Sequence, residues 1–181
     1  MFVVRGLPLA KGMASRTARR PLAVLFALWS CSSSVAPDAI ATAEAAGTGA
    51  AADVSGSIVD LTNAARANAG VAPLRANAQL MRAAQLHAEQ MASVGRIGHR
   101  LDGARYPSPQ DRLAAAGYRW IAYAENVASG QHTAQSITDS WMASAGHRAN
   151  MLSAAYTELG TGYAVDANGL PYFVQVFGKP L

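Results

Sequence analysis

The sequence holds four histidines, His87, His99, His132 and His147, side chains suited to metal ligation or to proton transfer near neutral pH. They do not stand alike. His132 follows Gly130 in a polar stretch and reads as a surface residue. His87 shares a helical face with Leu80, Ala84 and Met91, the spacing of a packed, hydrogen-bonded core histidine. His99, Glu125 and His147 fall in predicted loops or at element ends, where sites tend to form. Two imidazoles and a carboxylate suit zinc or a similar divalent ion, and three such ligands plus water resemble a catalytic centre. No His-Glu-x-x-His run fixes that geometry locally. The same residues suit acid–base work, with Glu125 orienting an imidazole that activates water or the hydroxyl of Ser129 or Ser144. No Gly-x-Ser-x-Gly elbow supports either serine. The third reading is structural: the His and Glu side chains bond one another and pin loops. His87-Ala88-Glu89 looks like a deaminase motif, but that chemistry needs paired cysteine ligands downstream, and Cys31 is the only cysteine.

Several elements must position these residues. A first helix is expected from Ser57, a plausible N-cap, with Ile58, Leu61 and Ala65 on one face and Gly70 closing it. A second is expected from Asn77 to Val94, with Gly95 beyond. Residues 98–109 read as a loop, and Pro109 suits the first turn of a short helix over Gln110–Ala116, stopped by Gly117. Tyr118–Ala124 reads as a short aromatic strand. Thr133 caps a further helix through Ser144, with Ile137 and Trp141 inward, and a turn then carries His147, Arg148 and Asn150. Asp166-Ala167-Asn168-Gly169 between two apolar runs is a hairpin signal. Helices first and a hairpin last predict an α+β fold, helices packed on a small antiparallel sheet.

The sequence has 181 residues, which suits one domain, and its 51% hydrophobic and 14% charged content is that of a folding chain. Its pI of about 9.6 belongs to the leader. Arg5, Lys11, Arg16, Arg19 and Arg20 precede Cys31 with no acid among them. Of 15 basic and 11 acidic residues, removing those five leaves a net charge of about −1, so no basic stripe supports nucleic-acid binding. The basic run followed by the apolar stretch Pro21–Ser30 reads as a secretory signal over 1–30, too short for a mature membrane span. Met1 and Met13 are both possible starts. Cys31, after Leu28-Trp29-Ser30, stands where a bacterial lipoprotein is lipidated, and ordinary cleavage to a soluble secreted form is the rival. Residues 31–54, rich in Ala, Ser, Gly and Thr, read as a flexible linker, and 55–181 as the domain.

Several motifs recur in a recognisable order: Asn63 and Arg66 as Asn-x-x-Arg, His87-Ala88, Gly98-His99, Asp102-Gly103, Asp111-Arg112-Leu113, Gly117-Tyr118, Glu125-Asn126-Val127-Ala128, the run Trp141–Leu152, Gly160-Thr161-Gly162-Tyr163 and Gln175-Val176-Phe177-Gly178. Together they resemble the disulfide-free bacterial branch of the CAP superfamily, the SCP-like extracellular domains named for cysteine-rich secretory, antigen five and pathogenesis-related proteins. Ala145 replaces that family's usual Pro, and Ala124 a common Gly. The resemblance implies an α-β-α sandwich and a central cleft lined by two His and two Glu. The first His and the Glu map to His99 and Glu125. The family's later Glu falls near Ser144, its final His near Tyr172, and His147 takes part of that role by position.

The leader implies an exported protein: extracellular, periplasmic or membrane-anchored through Cys31. The leading expectation is a non-enzymatic binding module for an unidentified envelope or extracellular ligand, its cleft able to hold a divalent metal such as zinc through His99, Glu125 and His147. The alternatives are a hydrolase, such as a protease, and lipid or sterol binding. Asn63, Arg66, Asn126 and Asn150 read as buried polar groups that satisfy loop backbone. Tyr118, Trp120, Tyr123 and Tyr172 could line a groove or simply pack.

Overall fold

The computed structural model describes residues 3–5 and 37–181, with side chains from Asp53 onward. In chain order the elements are β1 (Val3–Arg5), α1 (Pro37–Asn68), β2 (Arg75–Ala76), α2 (Ala78–Val94), α3 (Pro109–Ala115), β3 (Trp120–Ser129), α4 (Ala134–Ala143), α5 (Ala145–Met151), β4 (Glu158–Val165) and β5 (Pro171–Pro180).

The sheet runs β1-β3-β5-β4-β2. β5 pairs antiparallel with β3 on one side and β4 on the other, while β1 and β2 add short parallel edges. Period-2 alternation along β5 feeds two cores. Tyr172, Val174 and Val176 join Leu80, Ala84, Ala88 and Met91 of α2 and Leu113 of α3. Phe173 and Phe177 face the other way, with Ile58 of α1, Ile137 and Trp141 of α4 and Met151 of α5. Helices therefore cover both faces, the α-β-α sandwich that the sequence motifs implied.

Local chemistry sets the helix ends. Asn77 caps α2 by accepting from the amides of Gln79 and Leu80, and Gly95 ends it at φ +60°. Ser108 and Asp111 form a capping box on α3, and Pro109 sits in its first turn. Thr133 and Ser136 do the same for α4.

Four expectations change. α1 starts at Pro37, not Ser57, and so extends through most of the tract read as a linker; residues 39–52 are mostly alanine, the best helix former. Ser57 is no N-cap but lies inside the helix, its hydroxyl bonded to the Asp53 carbonyl. The strand expected over Tyr118–Ala124 runs on to Ser129, which puts Glu125 inside a strand and not at an element end. His147 lies within α5, where a turn was expected. Cys31 and residues 6–30 of the leader lie outside the described residues, among which no helix is long and apolar enough to cross a membrane.

Candidate functional site

Glu125 projects from β3, opposite Val176 of β5, and is 4% exposed. A buried carboxylate is costly unless paired and hydrogen-bonded. Arg112 of α3 supplies the charge: its Nη2 donates to Oε2 at 2.9 Å and to Oε1 at 3.2 Å. His99 adds the third contact, Nδ1 to Oε1 at 3.0 Å.

The same guanidinium shapes the loop that carries His99. Arg112 Nη2 donates to the His99 carbonyl at 2.9 Å, and Nη1 to the carbonyls of Tyr106 and Pro107, each at 3.3 Å. His87 closes the array from α2. Its Nε2 donates to the Gly98 carbonyl at 2.8 Å and lies 3.6 Å from Glu125 Oε1. Residues 98–112 are thus fastened to the sheet through one carboxylate and one guanidinium.

Electrostatics follow from this packing. Burial alone would raise the Glu125 carboxyl, but the His99 hydrogen bond and the charges of His87, Arg112 and His99 hold it below its ordinary value. Burial pushes His87 down to about 4, against a partial upward pull from Glu125, so its ring is neutral near pH 7. With Nδ1 of His99 facing Glu125, its Nε2 is the remaining ring atom, buried and without a hydrogen-bond partner among the described residues, as is His87 Nδ1.

The expected trio is brought together only in part. His99 and Glu125 touch. His147, 1% exposed on α5, is tied to the next residue of β3: Asn126 Nδ2 donates to its main-chain carbonyl at 3.2 Å. Among the described residues no three His, Cys, Asp or Glu side chains are arranged to hold a metal ion. Both Glu125 oxygens already serve Arg112 and His99, which leaves the carboxylate charge neutralised by the guanidinium. Ser129 lies four residues along β3 from Glu125, about 13 Å of strand. Ser144 is the residue before α5, its side chain making no cap bond. Among the described residues neither serine bonds His99 or Glu125. His132 is exposed.

The remaining polar residues bond backbone and one another. Asn63 makes a two-way clamp on Leu74, donating to its carbonyl at 3.0 Å and accepting from its amide at 2.8 Å. Arg66, 1% exposed, donates to the carbonyls of Ala72, Met151 and Ser153. Asn150 donates to Asn126 Oδ1 at 2.8 Å, Asn126 to Gln175 at 3.0 Å, and Gln175 to Thr62 at 2.8 Å, a relay through the second core. Tyr118 and Tyr172 are buried packing residues.

Two features escaped sequence reasoning. Arg112 was visible only as part of a motif, though a buried glutamate requires a cation and could have prompted the search for one. A second buried carboxylate, Glu158, accepts from Arg75, from Asn77 at 3.0 Å and from Tyr118 at 2.8 Å, and ties β4 to the start of α2.

Comparison with known proteins agrees with this architecture. The family model described as "Cysteine-rich secretory protein family" (CAP) matches residues 59–177. Two Bacillus subtilis proteins are similar over 122 residues, 67% of this chain: the uncharacterized protein YkwD, 33% identical, and the uncharacterized membrane protein YlbC, 32% identical. The chain spans 46% and 33% of their lengths. Among solved structures, an extracellular SCP-domain protein of Bacillus anthracis superposes with a TM-score of 0.64 at 24% identity, over 71% of this chain and 41% of that one. An outer surface protein of Borrelia burgdorferi gives 0.62 at 20% identity, over 68% and 90%. At these identities the likeness is one of fold.

Proposed function

Because the chain belongs to the cysteine-rich secretory protein (CAP) family, we propose that it is an exported, non-enzymatic binding module in which the Glu125 array holds a recognition loop in place. One observation carries this reading: both Glu125 oxygens are bonded by Arg112 and His99. A general base needs a lone pair directed at substrate, and this carboxylate directs its oxygens at the protein. Export is supported by the leader over 1–30 and by similar folds described as extracellular or outer-surface proteins. In this reading 55–181 is the functional domain, released or held at the membrane by lipid on Cys31.

A hydrolase is the second reading. It has one observation in its favour: His99 is oriented by a carboxylate, as an acid–base histidine would be, with Nε2 unpartnered among the described residues. Among those residues neither Ser129 nor Ser144 bonds it. The two readings separate on Glu125→Gln. The binding module predicts faster amide hydrogen exchange in residues 98–108 and no change in hydrolysis of casein or simple esters over background. Turnover by the wild type that disappears in Glu125→Gln, with loop exchange unchanged, overturns it.

A further inference from the structure

At the far end of β3, Ser129 lies on the same face of the sheet as Glu125, by the period of two. There it lines a half-open cavity of about 260 Å³ with Arg96, Ile97, Leu170 and Tyr172. The cavity lies beyond the end of α2, where Gly95 turns the chain left-handed and Arg96 follows. Two features of this cavity are unaccounted for by the fold. Ser129 is 7% exposed, yet its hydroxyl makes no hydrogen bond among the described residues. The Arg96 guanidinium has no carboxylate partner among them. Asp166, the acid of the adjoining turn, is already engaged by the amides of Asn168 and Leu170 and by the Tyr172 hydroxyl.

We propose that this cavity binds a small apolar carboxylate. The carboxylate pairs with Arg96 and accepts from the Ser129 hydroxyl, and the short hydrocarbon part lies against Ile97, Leu170 and Tyr172. A charge-assisted pair with Arg and one hydroxyl donor is a common way to hold a carboxylate. Size limits the ligand: sites for drug-sized molecules start at about 300 Å³, so this one fits a short-chain acid or the terminal residue of a peptide. The proposal gives the binding-module reading a ligand class. Its failure would remove that class and leave the loop-pinning role of Glu125 untouched.

The test is an NMR titration of the full chain with millimolar hexanoate, with hexanol as the uncharged control, and with Gly-Gly-Leu carrying a free or amidated terminus. Binding should shift the amides of Gly95, Arg96, Ile97, Ser129, Gly130 and Leu170, and hexanol should not. Arg96→Gln, at an exposed position, should weaken binding about tenfold, and Ser129→Ala by less. Response to hexanoate alone assigns a free acid, and response to the free-terminus peptide assigns a chain end; either supports the chemistry. No shift at these amides with any probe, equal response to hexanol, or unchanged affinity in Arg96→Gln overturns it.

Discussion

Gly162 of β4 and Ala84 of α2 meet main chain to main chain: a β-carbon on Gly162 would collide with the Ala84 carbonyl group. Gly160 stands in the same relation to Leu80 and Met81, one turn earlier on the helix. The two glycines let α2 lie directly on the strand. Gly162→Ala should cost about 3 kcal/mol or more, because backbone, unlike a side chain, has no rotamer into which to retreat. Urea unfolding measures it. A loss below about 1 kcal/mol would mean that helix and strand can separate without harm.

Arg112→Met should be among the most damaging single changes, since it strands the Glu125 carboxylate in the core. Breaking a buried pair from one side costs about 3–5 kcal/mol. The double variant Arg112→Met plus Glu125→Met should recover much of that stability. If the double variant is no better than Arg112→Met alone, the guanidinium acts chiefly through its bonds to the His99, Tyr106 and Pro107 carbonyls.

Stability should fall with acid through His87. Its value drops from 6.5 to about 4 on folding. Between those values the unfolded chain binds a proton that the folded chain does not, so stability declines as pH falls from 6.5 and the loss is complete below about 4. The shift corresponds to about 3 kcal/mol. Glu125 acts in the same direction: its carboxyl is held low in the fold, so its contribution is present above the unfolded value and disappears as pH falls through the folded one. His87→Gln should flatten the profile between pH 6.5 and 4, measured by urea midpoints; an unchanged slope would assign the acid loss elsewhere.

Trp141 is fully buried in the second core, and its indole Nε1 has no hydrogen-bond partner among the described residues. Trp141→Ala should cost about 3–5 kcal/mol, and Trp141→Phe less, since only volume and no hydrogen bond is lost. Equal melting temperatures for wild type and Trp141→Ala would contradict a packing role.

Cell-derived protein should begin at or after Cys31, as read by mass spectrometry, and Cys31→Ala should move it from the membrane fraction to the soluble one. An intact leader on exported protein would refute the first expectation. Unchanged fractionation of Cys31→Ala would favour the soluble secreted form.

Much of this architecture was legible in the sequence because it is written in short-range chemistry. Asn77, Gly95, Pro109 and Thr133 mark helix ends through local bonds and backbone preferences, and the 166–169 turn announces its hairpin. The contact of His99 with Glu125 was expected from motif order. Long-range partners were not legible. Nothing local says that Arg112 reaches Glu125, or that Asn126 reaches the carbonyl of His147, since both depend on how α3 and α5 pack against β3. Glu125 reads as a loop residue because a carboxylate inside a strand goes against β propensity; its burial compensates only through partners from elsewhere.

The strand order also bears on when this domain can fold during synthesis. β5 is the last strand made, yet it lies at the centre, between β3 and β4. Until residues 171–180 leave the ribosome, β3 and β4 have no common neighbour and both cores lack their middle layer. Arg66 adds to the delay, since its carbonyl acceptors at Met151 and Ser153 are synthesised more than 80 residues after it. Such non-local closure is slow, because loop-closure entropy must be met before the contacts form. A nascent chain with this topology cannot close its sheet before β5 emerges, and a polypeptide left open in this way can be threaded through a translocation channel.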